Sequence, residues 1–130
     1  MIDHVVLRTR DYDRAKAFYR AVLVTLGYTQ LAELGADDAG VRTCGFGAHG
    51  KPAFWLADGP ATAGEGEVHV AITAPDRAAV DAFDRAALAA GGRDNGAPGP
   101  RPHYHRHYYG AFVFDLDGHN LEAVVHKPVG

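Results

Sequence analysis

Cysteine occurs once in the chain, at Cys44, which rules out an internal disulfide and suits a reducing compartment. Long apolar runs are missing too, since no stretch approaches the roughly eighteen continuous apolar residues of a membrane span. Met1-Ile2-Asp3-His4 leads straight into strand-like sequence rather than into a basic and apolar leader. Nor is there a cluster of positive charge. Lys and Arg number 13 against 16 Asp and Glu, giving a formal charge of -3 and a pI near 6.2. Such a chain exerts no long-range pull on phosphate backbones or anionic lipid. These absences predict a cytoplasmic, soluble protein that binds neither nucleic acid nor membrane.

What is present fits one globular domain over residues 1–130. The 130 residues are 47% hydrophobic and 22% charged, enough for one modest core or two small modules sharing an interface. A shift of the sequence by 65 positions superposes His4 on His69, Val5 on Val70, Asp11 on Asp76, Ala17 on Ala82 and Phe18 on Phe83. It also superposes Arg20 on Arg85, Ala21 on Ala86, Leu23 on Leu88 and Gly27 on Gly92. Alanine-rich helices explain matched alanines by chance, but not paired His, Asp, Phe and Gly at one constant offset. The chain reads as a duplication.

Each copy has the same element order. His4 to Arg8 and His69 to Thr73 are short β-branched and apolar runs that favour strands. A helix follows in each. Asp11 caps the first, whose apolar residues Ala15, Phe18, Val22 and Leu26 recur at three- and four-residue intervals up to Gly27. Pro75 and Asp76 open the second, with Val80, Phe83 and Leu88 on its apolar face and Gly91-Gly92 at its end. Strands are then expected at 28–34, 41–46 and 53–57, and again at 92–95, 109–116 and 120–126, with a turn at Asp117-Gly118. The order is βαβββ twice, over 1–58 and 67–128, joined by a Gly- and Pro-rich linker at 59–66. A second loop is expected at 97–102.

Gly45-Phe-Gly47-Ala-His-Gly50 satisfies a phosphate-cradling pattern, but that use requires a helix to begin there, and Lys-Pro-Ala-Phe-Trp-Leu follows instead. The run is expected to be a hairpin turn. Cys44 reads as a small strand residue with no base beside it to make it a nucleophile.

The chemistry lies in three residues. Side chains alternate along a strand, so His4 shares a face with Val6 and Arg8, His69 with Ala71 and Thr73, and Glu122 with Asn120, Val124 and His126. If the two sheets face one another, His4 and His69 occupy equivalent points and Glu122 joins them. Two imidazoles and a carboxylate then occupy one side of a divalent ion, leaving its other positions open.

Ile2 to Arg8 followed by Arg14-Ala-Lys-Ala-Phe-Tyr19, then Val68 to Ile72, then Phe114-Asp-Leu-Asp-Gly-His-Asn-Leu-Glu122 resemble the strand, helix and closing hairpin of the vicinal oxygen chelate superfamily. That superfamily includes glyoxalases, extradiol dioxygenases, fosfomycin-resistance transferases and bleomycin-resistance proteins. The resemblance implies an α+β fold of two tandem βαβββ modules forming a curved mixed-sheet cleft, the glyoxalase/bleomycin resistance/dihydroxybiphenyl dioxygenase fold. It further implies His4, His69 and Glu122 as metal ligands, a small substrate bound to the ion through two neighbouring oxygens, and a homodimer.

The sequence also departs from known members. Metal-bound glyoxalases carry a Glu or Gln as fourth ligand where this chain has Trp55, with Asp58 the nearest carboxylate, although Arg8 matches their glutathione-contacting arginine. The Tyr and Pro expected ten and six residues before the last ligand of an extradiol dioxygenase are Phe112 and Leu116 here. Three ligands and three open positions suit Fe(II) best, with Mn, Zn, Ni and Co also open. Dioxygenase-type chemistry is the first expectation, a glyoxalase-like lyase or isomerase the second, and a non-catalytic drug- or toxin-binding protein the third. In Pro102-His-Tyr-His-Arg-His-Tyr-Tyr-Gly110, His103, His105 and His107 would project to one side of an extended run, though the stretch reads more simply as the lip of the cleft. His107, Tyr108 and Tyr109 are expected to contact substrate or move a proton. Arg8, Trp55, His105 and His126 are the expected substrate contacts.

Overall fold

A computed structural model describes residues 1–128, so the last two of the expected domain fall outside it. The chain divides into two compact units, Met1–Thr62 and Ala63–Gly130. In the first, β1 (Val5–Thr9) leads to α1 (Tyr12–Leu23), a short 3-10 turn (Val24–Leu26), β2 (Thr29–Leu34), β3 (Thr43–Ala48) and β4 (Lys51–Asp58). In the second, β5 (His69–Thr73) and α2 (Arg77–Ala89) precede β6 (Arg93–Asp94), β7 (Gly99–Pro100), β8 (Tyr109–Phe114) and β9 (Asn120–Val125). The expected α+β class and the repeated order are both present, as two mixed sheets.

The two sheets have the same connectivity. The first runs β1-β4-β3-β2, and the second β5-β9-β8-β6 with β7 also on β8. In each, the opening strand pairs parallel with the closing strand and the other pairs are antiparallel. Parallel neighbours need a crossover, which each helix supplies. Asp11 accepts a hydrogen bond from the Arg14 amide and Asp76 from the Ala79 amide, so the same acid caps both helices. Gly27 and Gly91 follow the helices at φ 90° and 103°, a conformation that costs glycine little.

Each unit has its own core between helix and sheet. In the first, Ala15, Phe18, Tyr19 and Val22 pack on Leu7, Phe46, Phe54 and Leu56, with the Tyr19 ring 5.0 Å from Phe18 and 4.8 Å from Phe54. In the second, Val80, Phe83 and Ala87 lie against Ala111, Val113, Leu121, Ala123 and Val125. Ala87 takes the place expected of Leu88, which is 41% exposed, because the seven-residue repeat from Val80 falls on 87.

Other expectations are corrected. Gly45 and Gly47 lie inside β3, and only His49 and Gly50, with φ of 56° and 74°, form the β3–β4 turn. The strand expected at 92–95 is limited to two residues, and the expected loop at 97–102 contributes β7. His4 precedes β1 instead of opening it, and His126 lies past the end of β9.

Candidate functional site

Strand register sets one face of the second unit. His69 pairs with Asn120, and Ala71 and Phe112 both pair with Glu122, so His69, Asn120, Glu122 and Phe112 share a side. The other side carries Ala111, Val113, Leu121 and Ala123, buried against α2. Glu122 is only 1% exposed, whereas the His69 side chain is 44% exposed. His69 Nε2 stands 2.9 Å from Glu122 Oε1, and the Tyr108 hydroxyl donates to Glu122 Oε2. Burial first, then the bond to Glu122 and its charge, push the Tyr108 phenol well above its ordinary range. Gly110 pairs with Val124 beside this contact and leaves the space it occupies.

Around the pair stand groups the sequence did not mark. The Phe112 ring lies 5.9 Å from His69, the Arg101 guanidinium lies 5.6 Å from Phe112, and Asn95 Nδ2 donates to Asn120 Oδ1 at 3.2 Å. The period-two pattern of β8 could have flagged Phe112, since it places that ring on the Glu122 side. Arg101 and Asn95 come from irregular chain and carry no such signal.

The histidine run is folded into turns and is not extended, with the Tyr104 and His105 amides both donating to the Arg101 carbonyl. His105 packs edge-on to His126 at 5.4 Å, and His126 packs on Tyr108 at 4.9 Å. His107 accepts from Arg106 Nε, and its amide donates to His105 Nδ1. Burial, then the Arg106 charge, lower the His107 pKa. Tyr109 lies elsewhere. It pairs with Val125 on the helix side of the sheet, its hydroxyl donates to Asp81 of α2 at 2.7 Å, and the Arg77 guanidinium covers its ring at 4.8 Å. A shift of one residue along a strand reverses the face, so Tyr109 is removed from the set that meets Glu122.

In the first unit His4 Nδ1 lies 2.6 Å from Asp3 Oδ1, which leaves Nε2 as the atom a cation would take. Val6 and Arg8 project to the exposed side of β1, and Arg8 reaches the Asp58 carbonyl at 3.5 Å. Trp55 pairs with Val6 and with Gly45 and lies half-buried on that side. A Cβ at Gly45 would stand 3.0 Å from the indole, so glycine is what allows the ring to lie across β3. The registers also make Trp55 the counterpart of Glu122, since Val6 faces Trp55 and its repeat partner Ala71 faces Glu122.

A second set of ligand types occupies the β8–β9 hairpin. Ligand atoms of Asp115, Asp117 and His119 lie within 4.8 Å of one another, a spacing that can hold an ion. Asp115 Oδ1 already accepts from the Asp117 and His119 amides, each at 2.9 Å, and Oδ2 stands 2.7 Å from His119 Nδ1. These bonds account for the order of the turn without a cation. The Asp-x-Asp-Gly-His spacing was visible in the sequence, where only its turn was read.

The donor set on the second unit's open face fits a divalent ion. A buried carboxylate is costly unless paired, and Glu122 is paired with an imidazole nitrogen at ordinary hydrogen-bond distance, with one proton between them. Replacing that proton by a cation keeps both groups satisfied.

A family model for the Glyoxalase/Bleomycin resistance protein/Dioxygenase superfamily matches residues 1–123. Among solved structures, a glyoxalase/bleomycin resistance protein from Albidiferax ferrireducens T118 is 28% identical with a TM-score of 0.73, over 97% of this chain and 98% of that one. A point mutant of glyoxalase I from Zea mays is 25% identical with a TM-score of 0.71, over 93% of this chain but 45% of the maize chain, so this chain spans about half its length. A point mutant of the fosfomycin resistance protein FosX from Listeria monocytogenes, complexed with Mn(II) and 1S,2S-dihydroxypropylphosphonic acid, shares the fold at 18% identity and a TM-score of 0.70, over 99% of this chain and 93% of that one. A search of curated proteins returns no significant match. No helix among the described residues is long and apolar enough to cross a membrane.

Proposed function

The chain belongs to the Glyoxalase/Bleomycin resistance protein/Dioxygenase superfamily, and on that premise we propose that it is a metal-dependent enzyme acting on a small substrate with two adjacent oxygens. His69 and Glu122 hold the ion, and His4 is the third ligand, supplied by the same chain or by the second copy of a homodimer. The observation that carries this reading is the buried Glu122 carboxylate set 2.9 Å from His69 Nε2 on an open sheet face. The ion's part is to polarise the two substrate oxygens. Phe112 and Arg101 flank the position beside His69, offering an apolar wall and a cation for the substrate. Arg8 and Trp55 serve the same purpose on the first unit's face, and His105, His107 and His126 line the loop beside Tyr108. Asp3 fixes the His4 ring, and Tyr108 supplies an O–H at the edge of Glu122.

Three protein ligands leave room for chemistry of the dioxygenase type, with Fe(II) the best-suited ion. The second reading is a glyoxalase-like lyase or isomerase, supported by the 25% identity to maize glyoxalase I and by Arg8. Metal analysis of protein purified without added ions should show about one divalent ion per site. His4→Ala, His69→Ala and Glu122→Gln should each lower that content at least about tenfold with the fold intact. Oxygen uptake across a panel of catechols, set against loss of the methylglyoxal-glutathione hemithioacetal, separates the two reactions. Stoichiometric metal that is indifferent to all three substitutions would overturn the assignment.

A further inference from the structure

We propose that Tyr108 is a positioning residue that restricts Glu122 to a single ligating oxygen. The proposal rests on the reading that His69 and Glu122 bind a divalent ion, and it concerns how the carboxylate is presented. Oε1 faces His69 Nε2 at 2.9 Å, while Oε2 accepts the Tyr108 O–H. With one lone pair of Oε2 committed to the phenol, Oε1 is the oxygen presented to an ion beside His69.

Two further observations show that the contact is built into the fold. The Tyr108 ring is held from the side by Tyr104 at 5.1 Å and by His126, past β9, at 4.9 Å, both edge-on, so the phenol is supported independently of Glu122. On β8, a Cβ at Gly110 would lie 3.1 Å from Glu122 Oε2, 3.1 Å from Tyr108 Cε1 and 3.3 Å from the Ala123 carbonyl. Glycine at this point is what lets phenol and carboxylate meet. The consequence concerns stoichiometry at the ion. Two imidazoles and a one-oxygen carboxylate fill half of an octahedral shell and leave positions for a chelating substrate and one small molecule. A two-oxygen Glu122 would close the last of these.

Tyr108→Phe tests this, because it keeps the ring and its edge contacts and removes only the hydroxyl. The metal-free full chain is titrated with Co2+ and its visible d–d absorption recorded. The variant should still bind one equivalent, with affinity about tenfold weaker and a shifted d–d band as the second oxygen of Glu122 replaces a solvent ligand. Gly110→Ala, which crowds the same contact from β8, should give the same spectral change and serves as an independent arm. Wild-type affinity and band shape in both variants would overturn the proposal while leaving the metal centre in place. Loss of the metal reading itself looks different: His69→Ala and Glu122→Gln would then also bind Co2+ as the parent does.

Discussion

Asp84 shows what an uncompensated charge costs this chain. It lies on α2 at 9% exposure, and its Oδ1 is without a partner among the described residues. Burial first, then the Asp94 and Asp81 charges, raise its carboxyl above the ordinary value of 3.8, against a smaller lowering by Arg85. Between the ordinary value and the raised folded one, the folded chain holds a proton that the unfolded chain has released. Its contribution to stability falls as pH rises from the ordinary value through the raised folded one. Asp84→Asn should raise the melting temperature by a few degrees near neutral pH and have little effect in strong acid, as read by thermal denaturation across pH. Glu122 is the instructive contrast, since it is more buried yet both of its oxygens are engaged.

At the scale of elements, helix caps and strand order were legible because they rest on local chemistry. Asp11 and Asp76 stand one position before helices whose amides they cap, and the repeat alone pairs them. Asp11→Ala and Asp76→Ala should each destabilise their helix by about 1 kcal/mol, measured by urea denaturation, with the double variant near the sum because the two lie in separate compact units. What the sequence could not disclose came from irregular chain. The bond from Tyr108 to Glu122 crosses fourteen positions from a loop without periodicity. Tyr109 was expected beside Tyr108 at the substrate and lies instead on the helix side, because the point where a loop becomes a strand decides which residues face which way. Leu88 failed likewise, an apolar residue just off the buried stripe that Ala87 occupies.

At the scale of the whole molecule, the duplication carried most of the legible information. A constant offset predicted two sheets of one design, and the parallel pairing of first with last strand in each confirms that design at the level of register. Strand register, two positions away from the constant offset, sets Trp55 where the second copy has Glu122, so the halves differ there by an aromatic ring against an acid. Trp55 is also the chain's single tryptophan. Its emission is thus a private reporter of the first unit's open face, on which Val6 is its strand partner and His4 lies two residues before Val6. Paramagnetic Co2+ bound through His4 should quench that light, and His4→Ala should restore it. An ion held only by the hairpin at Asp115 would leave the His4→Ala trace identical to the parent's.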